Sequence, residues 1–279
     1  MNELQEAYLD LLQRSLTLRA NGPLTMHGVV PANEGPWLRK IIQRRLLRRG
    51  GDTLLMHPIV YDPDGDPQGK LHVYQLAPGI MTMVGNERLA NMRQCLLDVI
   101  DKGVPGDVIE TGVWRGGTTI LMRGILKAMG VTDRKVFVAD SFEGLPPPNA
   151  EKYPADKGLN FHLHKPLAVS LEDVQANFER YGLLDDQVVF LKGWFKDTLP
   201  GLADDQRFAI ARLDGDLYES TMDALTNLYP KLSPGGYLII DDYEIPACRK
   251  AVHDYRDEHG IAEEVMTIDW TGVYWQKSA

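Results

Sequence analysis

The sequence predicts an α/β protein built on a doubly wound, mostly parallel sheet. From residue 104 onward, short apolar runs recur between stretches of helical periodicity. Each run closes on a small or acidic residue, and the alternation of short buried strands with helices is the pattern of βαβ units. In such sheets, ligands sit beyond the carboxyl ends of the strands, at the point where the strand order reverses. Glu110, Asp140, Asp214, Asp241 and Asp242 all fall at those ends.

The elements follow in order. Residues 1–104 form an N-terminal helical accessory segment, with amphipathic helices expected over 3–18, 37–47 and 87–102. This segment suits a lid or an oligomer contact. The Rossmann-like core spans 105–279. Its strands are expected at 107–110, 136–139, 188–191, 208–213 and 237–240, and its helices at 118–129, 171–181, 221–232 and 247–259. The last two strands, 263–268 and 272–276, flank Asp269-Trp270-Thr271 and close the sheet with an antiparallel hairpin. The Pro-containing stretch 145–168 is too long for a tight connection and is expected to act as a lid.

Composition removes several function classes. The chain has 279 residues, 44% hydrophobic and 25% charged, as an ordinary globular protein does. Thirty Lys+Arg against 39 Asp+Glu give a net charge of -9, a poor balance for tracking nucleic acid or an anionic membrane. No apolar run approaches the length of a membrane span, and two cysteines are too few for a disulfide framework. A cytoplasmic location is expected.

The first core strand runs into Glu110-Thr111-Gly112-Val113-Trp114-Arg115-Gly116-Gly117-Thr118. A dinucleotide fingerprint would need glycine at 114, where this chain has Trp114, so a nicotinamide dehydrogenase is disfavoured. What remains is an acid followed by a wider glycine turn that opens a helix, where free N–H groups and close backbone approach are available. This turn resembles the first motif of S-adenosylmethionine-dependent methyltransferases, where it cradles the amino-acid end of the cofactor. Asp140, followed by Ser141, offers two acceptor oxygens to a ribose diol. Gly193-Trp194-Phe195 places aromatic rings beyond the third strand, where a purine can stack.

Asp214 ends the fourth strand, and Asp241-Asp242 end the fifth. Parallel neighbours bring these ends together, so three carboxylates can converge on one hard cation such as Mg²⁺. Asp216 and Glu219, by contrast, suit the cap of the following helix. An acceptor hydroxyl needs activation by a Lewis acid, a base or both. Asp214 is the first candidate for the base; His162 and His164 in the 145–168 segment compete, and Glu143, just past the ribose acid, is a candidate for the lining of the substrate cavity.

Taken jointly, the segments E-T-G-V-W-R-G-G, A-D-S-F-E-G-L-P, L-D-G-D-L-Y-E-S-T and I-I-D-D-Y resemble the macrocin O-methyltransferase family over about residues 80–277. The resemblance implies a class I methyltransferase fold, S-adenosylmethionine, Mg²⁺ and an acceptor that is a sugar hydroxyl on a glycosylated antibiotic. It maps the metal acids onto Asp214, Asp241 and Asp242. It also implies that a segment before the first core strand, Met83-Val84-Gly85, touches the cofactor. The catechol O-methyltransferases carry a lysine base three residues after the first metal acid; here that position is Leu217. The alternatives are a phenolic or catechol acceptor, and a silent cofactor-binding protein on the same fold. A homo-oligomer is expected from the amphipathic N-terminal helices.

Two other motifs carry no chemistry. Asp62-Pro-Asp64-Gly-Asp66 imitates a calcium loop, but Pro67 and Val73 occupy positions that require Gly and Glu. Arg39, Lys40, Arg44, Arg45, Arg48 and Arg49 form the solvated side of an amphipathic helix.

Overall fold

Five strands that each carry an apolar run can be buried only if both faces of their sheet are covered, and helices supply that cover. In a computed structural model, which describes residues 1–19, 24–29, 56–61 and 79–278, the chain runs as follows. An N-terminal helix α1 (Glu3–Leu16) precedes strands β1 (Leu24–Val29) and β2 (Met56–Tyr61), and α2 (Asn86–Asp101) leads into the core. The core continues with β3 (Asp107–Thr111), α3 (Gly117–Ala128), β4 (Val136–Asp140), α4 (Leu171–Arg180), β5 (Val188–Lys192) and a single turn α5 (Phe195–Thr198). It closes with β6 (Phe208–Leu213), α6 (Tyr218–Leu228), β7 (Leu232–Ile240), α7 (Pro246–Glu258), β8 (Met266–Thr267) and β9 (Val273–Gln276).

The main sheet has the order β5-β4-β3-β6-β7-β9-β8. The first five are parallel, and β9 runs antiparallel to both β7 and β8. The order reverses between β3 and β6, so a crevice opens above their carboxyl ends. On one face, Leu9, Leu12 and Leu16 of α1, Leu89 and Leu96 of α2, and Ile120 and Ile125 of α3 join Val108 and Val138 in one core. On the other, Leu225 and Leu228 of α6 and Val252 and Tyr255 of α7 cover Ala211, Leu238 and Trp275. Thus α1 and α2 share the apolar core of the sheet. No helix among the described residues is long and apolar enough to cross a membrane.

The structure departs from the sequence expectation at four places. β1 and β2 pair as an antiparallel hairpin in the segment expected to be helical, with His27 opposite Pro58 and Gly28 opposite His57; Gly and Pro masked the strand pattern. α6 begins at Tyr218, because Asp156 caps it. It ends at Leu228, and Pro230 follows in a 3-10 turn, Tyr229–Lys231. β7 is longer than expected and β8 shorter. The expected 37–47 helix, the basic run within it and the 62–66 turn lie outside the described residues.

Candidate active site

The crevice is a cavity of about 1030 Å³, floored by the strand ends and walled by residues from the 145–168 segment and from the β8–β9 turn. Gly112 makes the floor possible. It has φ +85, and a Cβ there would lie 1.8 Å from the carbonyl oxygen of Asp214. The backbones of β3 and β6 meet at this point, where Asp214 donates its N–H to Thr111 (2.9 Å) and Gly112 to Ala139 (2.8 Å). Gly117 serves a second approach: its N–H reaches Met81 O at 3.0 Å, and a Cβ would stand 2.5 Å from that oxygen. This seats Met83 and Val84 on the cavity wall, while Gly85 caps α2.

Three non-glycine residues at the strand ends have left-handed backbones: Trp114 (φ 50), Phe142 (φ 58) and Asp216 (φ 55). Such conformations are costly and gather where a site needs them. Each is held by its surroundings. The Trp114 indole N–H donates to Pro166 O (2.8 Å), which fastens the 145–168 segment. Phe142 donates its N–H to Asp140 Oδ1 (2.7 Å). The N–H of Asp216 reaches Asp242 Oδ2 (3.1 Å).

Of the residues expected to hold cofactor, Met83, Val84, Glu110, Gly112, Thr118, Asp140 and Ser141 border the cavity, as do Trp194, Phe195 and Asp214. Thr111, Arg115, Gly116, Gly117 and Gly193 lie behind that surface. Arg115 reaches Ile80 O (2.8 Å) and lies over the Trp114 ring, so it braces the turn. Asp140 is half-buried and already accepts from Val113 N (2.7 Å) and Phe142 N, though a carboxylate has lone pairs for more. Burial raises its carboxyl, against those backbone donors. His164 borders the cavity from the 145–168 segment. His162 does not, and its buried Nδ1 has no partner among the described residues; Glu143 is exposed and also lies off the cavity.

Beneath the floor lies an ion-pair network. Arg212, 1% exposed in the middle of the sheet, donates to Glu110 of β3, to Asp214 (2.9 Å) beyond β6 and to Asp241 beyond β7. Arg88 of α2 also donates to Asp241, and its Nε donates to Asp269 Oδ2 at 3.0 Å. Burial alone would raise the Asp241 carboxyl, but Arg212 and Arg88 outweigh it and hold it below the usual carboxylate range. Burial pushes Glu110 up to about 8 despite Arg212. Glu110 Oε2, fully buried, has no partner among the described residues at the cavity floor. Leaving a buried acceptor unpaired is costly, so this oxygen suits a cationic donor that enters the cavity.

The carboxylates of Asp214, Asp216 and Asp242 each offer an oxygen within 4.8 Å of the others. Burial, then mutual repulsion, raises Asp214 to about 6 and Asp216 to about 8, and Asp242 well above its ordinary range. Sequence reasoning grouped Asp214 and Asp242 with Asp241. In the structure Asp216 completes the cluster, while Asp241 faces its two arginines. Asp216 is not the cap of α6: Asp156, wholly buried in the 145–168 segment, accepts from Tyr218 N (2.6 Å) and Glu219 N (3.2 Å). The D-x-D spacing was the signal for Asp216, and an arginine inside an otherwise apolar strand was the signal for Arg212.

An acid with a free oxygen beside a glycine turn, aromatic rings past the third strand and a carboxylate cluster beyond the fourth and fifth are the features of a methyl-transfer site. Comparison with known proteins agrees. Residues 5–277 match the family Macrocin-O-methyltransferase (TylF), which therefore includes α1 as well as the core. A tetracenomycin-C rhamnosyl 4'-O-methyltransferase from Streptomyces olivaceus is 57% identical over 221 residues, 79% of this chain and 84% of that one. Mycinamicin III 3''-O-methyltransferase from Micromonospora griseorubida is 58% identical over 201 residues, 71% of this chain and 79% of that one. The structure of the O-methyltransferase NovP superposes with a TM-score of 0.81 at 44% identity and covers 99% of this chain and 100% of NovP. The chain belongs to the macrocin O-methyltransferase (TylF) family and is an S-adenosylmethionine-dependent O-methyltransferase.

Proposed function

We propose that the protein methylates a hydroxyl of a deoxysugar on a glycosylated small molecule, with a divalent cation, Mg²⁺ in the first instance, held by the acid cluster. The unpaired Glu110 Oε2 at the floor of a cavity that also holds three crowded carboxylates carries this reading. The relatives named above, by their names a rhamnosyl-tetracenomycin-C 4'-O-methyltransferase and a mycinamicin III 3''-O-methyltransferase, support it.

S-adenosylmethionine, when bound, supplies a sulfonium methyl group, and the cation supplies Lewis-acid activation of the acceptor hydroxyl. The chain does the rest. Glu110 receives the ammonium of the cofactor's amino-acid end. Asp140 and Ser141 accept from the ribose hydroxyls, and Trp194 and Phe195 flank the purine. Met83 and Val84 close over it. Asp214 and Asp242 would hold the cation with a third carboxylate from Asp241 or Asp216. Asp216 is the better proton acceptor of the group: no guanidinium reaches it among the described residues, whereas Asp214 Oδ2 is tied to Arg212 at 2.9 Å. Asp216 would take the proton of the acceptor hydroxyl, leaving an oxygen able to accept the methyl group that the cofactor would supply. His164 on the lid lines the acceptor end. Met83 and Val84 line the cofactor side, and Leu4 and Leu11, exposed on α1, provide a contact for a second copy.

Calorimetry with S-adenosylhomocysteine and with Mn²⁺ tests the site. Wild type is expected to bind both. Asp214→Asn and Asp242→Asn are expected to lose Mn²⁺ while keeping S-adenosylhomocysteine. Asp216→Asn is expected to keep S-adenosylhomocysteine, to weaken Mn²⁺ and to lose turnover. Retention of full turnover by Asp216→Asn would return the proton to Asp214. Mn²⁺ binding unchanged in every aspartate variant would remove the cation from the mechanism. A single species at monomer mass in sedimentation would remove the second copy.

A further inference from the structure

The buried arginines join two sites that the proposed mechanism treats separately. Arg212 bonds at once to the cofactor-floor acid Glu110 and to Asp214 and Asp241 at the cation end. Arg88 continues the chain outward. It lies three residues past Gly85, the N-cap of α2, and so extends from the segment that lines the cofactor wall. Its guanidinium bonds to Asp241 and to Asp269. Asp269 in turn accepts from Thr271 N (3.0 Å) and Gly272 N (2.7 Å), and Thr271 Oγ1 bonds back to Asp241 O (2.9 Å). The β8–β9 turn that walls the cavity is thus bolted to the end of β7 and to the start of α2 by one side chain. Gly272 is shaped for it: a Cβ there would lie 2.9 Å from Arg88 Cδ and 3.0 Å from Cγ.

We propose that Arg88, acting through Asp241 and Arg212, is a positioning residue that couples cation occupancy to cofactor affinity. The acids that face the two arginines share their donors. Carboxylate charge drawn toward a cation at Asp214 leaves Arg212 more fully to Glu110 and Asp241, and Arg88 carries the adjustment of Asp241 to the wall formed by Met83 and Val84. By linkage, the cation tightens the cofactor by the same factor as the cofactor tightens the cation. This inference rests on the cavity being a cofactor and cation site, and its test separates the two.

The experiment titrates S-adenosylhomocysteine with and without saturating Mn²⁺, and Mn²⁺ by electron paramagnetic resonance with and without S-adenosylhomocysteine. It compares wild type, Arg88→Gln, Arg88→Lys and Gly272→Ala, with thermal melting to confirm folding. Wild type is expected to show reciprocal tightening of about 5-fold or more. Gly272→Ala, which keeps every charge but displaces the Arg88 stem, is expected to bring the factor close to one. So is Arg88→Gln, while Arg88→Lys recovers it only in part because an ammonium lacks the fork that spans Asp241 and Asp269. Equal affinities with and without the second ligand in wild type would overturn the coupling. So would a full wild-type factor in folded Gly272→Ala and Arg88→Lys. Failure of wild type to bind either ligand would instead overturn the proposed function.

Discussion

Replacing Gly112 with alanine tests the floor of the cavity directly. At φ +85, an L side chain costs about 1–2 kcal/mol in left-handed strain. A Cβ placed 1.8 Å from Asp214 O must also push β3 and β6 apart. The bonds at risk are Gly112 N to Ala139 O (2.8 Å) and Asp214 N to Thr111 O (2.9 Å). Each is worth about 1 kcal/mol, so the substitution is expected to destabilise by roughly 3–4 kcal/mol. Gly130→Ala is the matched control, with φ +69 and nothing within 4 Å of the added Cβ; it carries the strain alone. Urea unfolding monitored by Trp fluorescence, compared at equal slope, measures both. A gap of about 2 kcal/mol between the two variants is expected, together with loss of S-adenosylhomocysteine binding in Gly112→Ala only. Equal destabilisation, or intact cofactor binding in Gly112→Ala, would refute the argument that this glycine sets the approach of β6 to the cofactor floor.

Three further outcomes follow from the same geometry. Asp156→Ala removes the cap of α6 and is expected to cost about 1–2 kcal/mol in chemical denaturation, and to raise the acceptor KM more than it lowers kcat. Trp114→Phe deletes the indole bond to Pro166 O and is expected to weaken acceptor binding while S-adenosylhomocysteine affinity changes little, as calorimetry would show. The third concerns pH. Asp214 and Asp216, at about 6 and about 8, lie above their unfolded values, so without cation the native state holds more protons. Their contribution to stability is therefore complete below the unfolded carboxylate pKa and is lost as pH rises through about 6 to 8. Cation binding requires the ionised carboxylates, so Mn²⁺ affinity is expected to rise over that window with release of protons. Pairs of melting curves with and without Mn²⁺ should diverge as pH rises; a constant separation would exclude these acids as ligands.

The sheet was legible because each core strand holds a short apolar run that closes on a small or acidic residue, and because the helices between them have a clear period. The strand-end positions of Glu110, Asp140 and Asp214 followed from that pattern. The separate fates of Asp241 and Asp242 did not. Successive residues leaving a strand point opposite ways, so a pair of adjacent acids divides between the arginines and the cluster, and only the fold tells which goes where. Asp216 was assigned to a helix cap because Asp commonly serves there, and its left-handed backbone leaves no mark in the sequence. The true cap, Asp156, is separated from α6 by an entire βαβ unit. Arg88 and Asp269 are further apart still, 181 residues along the chain, and nothing local to either residue announces their bond. The β1–β2 hairpin was hidden by Gly28 and Pro58, residues that strands generally avoid.

The most direct test of the whole account is the product formed from S-adenosylmethionine and a rhamnosylated polyketide acceptor, followed by mass spectrometry with and without EDTA, beside a catechol and the free aglycone. A single added methyl on the sugar fragment of the glycoside, abolished by EDTA and restored by Mg²⁺, is the expected result. Methylation of the catechol or the aglycone in place of the sugar, or sugar methylation that EDTA leaves untouched, would contradict it.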